Sequence, residues 1–96
     1  MRKIFAAALL IVLMLCSISE AGGIRRFPSD GICVGDYVRF RSGPGTNYRI
    51  LGRMFDGERV TVVSQARRGG RLWYEIYDPY SGDRTVWVAA EYILPD

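Results

Sequence analysis

From Val34 onward the chain consists of short runs rich in β-branched and aromatic residues, cut at near-even intervals by Gly, Pro, Asn and Asp. This punctuation constrains the fold more than any other feature. Each run is long enough for a strand and too short for a stable helix. Tyr37-Val38-Arg39-Phe40-Arg41 alternates, with Val38 and Phe40 on one face and two Arg on the other. Ile50–Met54 reads as a second strand, Arg59–Ser64 as the strongest, and Leu72–Tyr77 and Thr85–Val88 as two more. Ser42–Asn47 and Asp78–Asp83 are loops, Asp56-Gly57 is a tight turn, and Ala66–Arg71 reads as a basic, Gly-rich loop. Ala89–Ile93 is a short terminal turn. No segment carries a helical hydrophobic period. Roughly 60 residues of short strands must close into a barrel or leave raw edges exposed. The expected fold is therefore all-β, a small barrel of five to six short strands.

The first part of the chain has a different character. Arg2 and Lys3 precede an unbroken apolar run from Ile4 to Cys16, and Ser19-Glu20-Ala21 places small residues at the −3 and −1 positions of a cleavage site. This is the anatomy of a secretory signal peptide, in a run shorter than the ~20 residues a membrane-spanning helix needs. Cleavage is expected after Ala21, with Ser17-Ile18-Ser19 as the weaker alternative. Lipidation at Cys16 is disfavoured by Leu15, where a small residue is needed. The expected organisation is a signal peptide over 1–21, a flexible arm over 22–33 and one domain over 34–95. The product is exported: periplasmic, cell-surface or secreted, and off the membrane after cleavage.

Charge and cysteine usage narrow the function. Formal net charge is +3, and beyond Lys3 every cation is Arg, nearly balanced by acids. That is a mixed surface with little electrostatic footprint for nucleic acid. Once a signal is removed, Cys33 is the sole cysteine, so no intramolecular disulfide is available. The thiol is then buried, idle, or available to a second chain. The absence of His removes His-based triads, dyads and zinc sites, and no facing carboxylate pair is evident. No enzyme activity, cofactor or metal is implied.

Four islands in order complete the reading. They are Val38-Arg39-Phe40-Arg41-Ser42-Gly43-Pro44-Gly45-Thr46-Asn47-Tyr48, Gly57–Val62, Trp73-Tyr74-Glu75-Ile76, and Val86-Trp87-Val88 with Glu91-Tyr92-Ile93. Together they resemble the bacterial SH3-like domain, across nearly all of the chain after Val34. Val86 departs from the Gly that this family usually has before its last-strand tryptophan, which leaves the register of that hairpin open. The resemblance implies a groove floored by Tyr48, Trp73 and Tyr92, extended by Tyr77 and Tyr80, with Trp87 in the core. Arg41, Arg49, Arg67, Arg68 and Arg71 lie in or beside the loops of this groove, and Arg41 and Arg49 in particular suit a carboxylate. Arg41 has a rival role as a brace for its own loop, and Arg67 and Arg68 read as solvated.

The resemblance implies a binding module for the peptide of peptidoglycan; with the leader and the balanced charge, the expectation is an exported monomer without nucleic acid as a partner. The alternative is an adaptor that binds another envelope or secreted protein.

Overall fold

The computed structural model describes residues 24–96. The signal segment over 1–21, with Cys16, lies outside the described residues. Seven antiparallel strands form one sheet: β1 (Ser29–Cys33), β2 (Val38–Arg41), β3 (Ile50–Met54), β4 (Arg59–Arg68), β5 (Arg71–Tyr77), β6 (Thr85–Ala89) and β7 (Ile93–Pro95). A 3-10 turn, Ala90–Tyr92, joins β6 to β7. The spatial order is β3-β2-β6-β5-β4-β1-β7.

That order forces curvature. The short links β1–β2, β3–β4 and β6–β7 each join strands four places apart. Four strand spacings span about 19 Å in a flat sheet, whereas a three-residue 3-10 turn advances about 6 Å. The sheet therefore rolls on itself into the all-β, SH3-like barrel expected from the sequence. Inside the roll, Phe40, Met54, Val62, Ile76, Val86, Val88 and Cys33 are almost wholly removed from water. Gly52 lets the Phe40 ring approach its backbone, since a Cβ there would lie 2.4 Å from Phe40 Cζ.

The structure corrects the sequence reading at three places and settles a fourth that it left open. First, the expected flexible arm contains β1, which pairs with β4 from Ser29↔Val62 to Ile32↔Arg59 and with β7 through Gly31, Ile32 and Cys33. Gly31 permits this: a Cβ there would lie 2.7 Å from Ile93 Cγ2. The sheet therefore begins before Val34 and has seven strands rather than five or six. Local alternation is weak in Ser29–Cys33, and long-range pairing alone recruits it.

Second, the supposed loop Ala66–Arg71 is mostly strand. β4 and β5 pair as far as Arg68↔Arg71, and only Gly69 and Gly70 turn, both with positive φ. Two such residues in succession make the tight hairpin turn that glycine accepts without strain. Third, β5 and β6 pair without slip from Tyr77↔Thr85 to Trp73↔Ala89, so Val86 leaves the register intact. Fourth, Trp87 is only half-buried and lies outside the core cluster.

Candidate functional site

The site is built around Trp73. On β5 the core takes Tyr74 and Ile76, so period-two geometry turns Trp73, Glu75 and Tyr77 to the other face. Trp73 is nevertheless only 3% exposed. Arg71 lies over its ring, 5.1 Å from the centroid, and is held there by an Nε–Glu91 Oε1 bond of 3.0 Å. The loop after β2 closes the other side. Trp73 is thus buried by its surroundings on the outside of the barrel and forms no part of the core cluster.

Two clefts open on either side of Trp73 and share Thr46 and Arg71. The first, about 260 Å³, runs between Asp36, Tyr37, Arg39, Arg41 and Tyr92. The second, about 350 Å³, runs between Pro44, Asn47, Tyr48 and Arg68. The second contains two Arg and no acid.

Each expected site residue now has a place. Tyr48, Trp73 and Tyr92 come together, Tyr48 in the second cleft and Tyr92 in the first. Tyr48 is seated on the turn itself, where a Cβ on Gly43 would lie 2.4 Å from its Cδ1. Arg41 lines the first cleft, but its Nη1 donates to the carbonyls of Thr46 and Tyr48, each at 3.0 Å. It ties its own loop back to β2.

Arg49 is exposed and lines neither cleft. Tyr77 is four residues from Trp73, about 13 Å along the strand. It lines a separate depression with Asp30, Arg59 and Pro79. Between them Glu75 accepts bonds from Ser64 and Thr85, a polar ladder across three strands. The groove therefore lacks Arg49 and Tyr77.

Tyr37, Asp36 and Arg39 take their places instead, and Arg71 lines both clefts. Arg71 had a sequence signal, since it directly precedes the Trp73 strand. Tyr37 had none, because its role depends on a backbone conformation. Its φ is +54°, left-handed, an outlier for an aromatic residue.

The far end of the barrel carries the strongest electrostatics. Asp78 is buried at the start of the Asp78–Arg84 turn. Its Oδ1 accepts the amides of Tyr80 (2.8 Å) and Ser81 (3.2 Å), and its Oδ2 accepts Arg84 Nε at 2.7 Å. Burial alone opposes the ionised carboxylate. The bond from the Tyr80 amide, with those from Arg84 and Ser81, outweighs it and holds the pKa below the ordinary value. Tyr80 Oη donates to Glu58 Oε1 at 2.6 Å, and this bond, with burial, pushes the phenol up to about 12. Burial, reinforced by Glu58 and Asp56, raises the Cys33 thiol. A neutral, enclosed thiol is a poor nucleophile.

A family model described as the bacterial SH3 domain matches residues 36–93, beginning after β1. Serine/threonine-protein kinase D of Synechocystis sp. (strain ATCC 27184 / PCC 6803 / Kazusa) is 33% identical over 54 residues. That stretch is 55% of this chain and 10% of the kinase, so the chain spans about a tenth of that relative. No solved structure matches.

Proposed function

Starting from the chain's membership of the bacterial SH3 domain family, shown by the match over residues 36–93, we propose that it is an exported, non-catalytic binding module for carboxylate-bearing peptides of the bacterial cell wall. One observation carries this reading. Trp73 stands outside the core and walls a cleft whose only charged residues are Arg68 and Arg71. A carboxylate finds the planar donors of Arg68 there, with the Nη groups of Arg71, whose Nε is already taken by Glu91, while its aliphatic parts meet Tyr48 and Pro44. Arg68 takes the part the sequence assigned to Arg49, and Arg41 supports the site by holding the loop. Export rests on the sequence of residues 1–21, and the non-catalytic reading on the absence of His and the enclosure of Cys33.

The test is retention of the purified protein on isolated wall sacculi, followed by titration with soluble stem peptide. Binding with amide shifts at Tyr48 and Gly69, weakened about tenfold in Arg68→Ala, is the expected result; tenfold corresponds to about 1.4 kcal/mol. A folded protein that neither stays on sacculi nor responds to the peptide turns the reading to the adaptor alternative.

A further inference from the structure

The first cleft has a feature that stem-peptide binding does not use. Tyr37 is 59% exposed, yet its backbone is left-handed at φ +54°. An aromatic side chain held in that conformation at the surface strains the chain and gains little burial in return. Such strain persists where the surroundings over-determine it, most often at binding sites. The ring is fixed by an edge-to-face contact with Phe55, itself half exposed, at 5.2 Å and 67°. Across the cleft, the Tyr92 ring lies against Gly35, where a Cβ would sit 3.5 Å from Cδ1. Tyr37 and Tyr92 thus present aromatic surface to one small space, beside the covered Trp73.

Two of the three Arg around this space already have partners, although Arg41 keeps its charge. Arg71 is paired with Glu91, and Arg41 donates to its own loop. Asp36 and Arg39 remain, one of each sign, three residues apart on the same wall. An anion or a cation would meet repulsion from one of them. A neutral ligand with apolar faces and a polar rim meets none. Its C–H groups would sit on the negative faces of the rings, with its hydroxyls donating to Asp36 and accepting from Arg39.

That chemistry belongs to a pyranose ring. A volume of about 260 Å³ suits one ring-sized unit rather than an extended ligand. We propose that this cleft binds a neutral sugar unit of a polysaccharide chain, with Tyr37 as its stacking platform. The inference rests on the binding-module reading above but concerns the other side of Trp73.

The test titrates the purified protein with an N-acetylglucosamine hexasaccharide and with cellohexaose, following amide shifts and tryptophan fluorescence. Saturable binding of at least one sugar is expected, with shifts at residues 35–39 and Tyr92. Tyr37→Phe retains it. Tyr37→Gly removes both ring and strain, so it weakens binding at least tenfold while melting no lower than the parent. If Tyr37→Gly does not fold, Arg39→Gln at an exposed position carries the same expectation of weakened binding. No binding of either sugar, wild-type affinity in the folded variant, or shifts confined to residues 44–48 and 68 overturns the proposal. Titration with sugar-free stem peptide separates the two readings. Peptide binding without sugar binding sinks only this one, and sugar binding without peptide binding sinks only the other.

Discussion

Two long excursions leave the sheet, one after β2 and one after β5, and each is held by one charged side chain bonded to backbone. At residues 42–49 the holder is Arg41, a half-buried cation donating outward to two carbonyls. At residues 78–84 it is Asp78, a buried anion accepting two amides and Arg84. A guanidinium that keeps part of its hydration can be lost at modest cost, because water satisfies the freed carbonyls. A buried carboxylate is costlier to lose, because two part-buried amides and Arg84 lose their acceptor together. The barrel thus places its costly polar anchor at one end and the two clefts beside Trp73 at the other.

Replacing Asp78 by Ala tests the difference most severely. It should destabilise the protein by about 2–4 kcal/mol, chiefly through the stranded Tyr80 and Ser81 amides. Arg84 is half exposed, so its ion pair adds little. For a domain of this size the melting temperature should fall by roughly 10–25 °C. A loss below 1 kcal/mol would erase the contrast between the two ends.

Arg41→Ala should cost only about 1 kcal/mol. Its larger effect should be local, as faster amide exchange at Ser42–Tyr48 and a shifted Trp73 emission. If it melts the protein as severely as Asp78→Ala, the loop after β2 is part of the stable scaffold.

Acid sharpens the comparison further. The folded pKa of Asp78 is depressed, so its contribution is complete above the unfolded value of 3.8 and is lost as pH falls from there through the folded value. Wild-type stability should therefore decline below about pH 4. The decline should be shallower in Asp78→Ala and unchanged in Arg41→Ala.

The smallest effect belongs to Tyr80→Phe, which removes the bond to Glu58 from a largely exposed ring. The expected loss is about 1 kcal/mol or less. The folded pKa of Tyr80 is raised, so its contribution is complete below 10 and lost as pH rises from 10 to about 12. The variant should lack that alkaline decline, as thermal melts across this range will show.

Much of the fold was legible because strands announce themselves locally. The alternation of Val38 and Phe40 and the turn at Gly57 all appear as read. The same parity rule also held a signal for the tryptophans. Trp73 shares parity with Glu75 and Tyr77, and Trp87 lies between Val86 and Val88, so both belong on the outer face. Size and apolarity argued for Trp87 in the core, and geometry prevailed.

By itself, then, the sequence determined an all-β barrel of the bacterial SH3 kind and its strands β2 to β6, and left Arg41 between ligand clamp and loop brace. These are properties of residues near one another in the chain: alternation, β-propensity and turn chemistry. Only the tertiary structure decided that Ser29–Cys33 is a strand, that Trp73 is covered by Arg71 and the loop, and that Tyr37 joins Tyr92 across a cleft while Tyr77 and Arg49 fall outside it. These depend on partners brought close by the roll of the sheet: Ile93 against Gly31, Glu91 on Arg71, Phe55 against Tyr37. No window along the chain contains both members of such a pair, so their burial and the clefts they make follow from closure of the barrel.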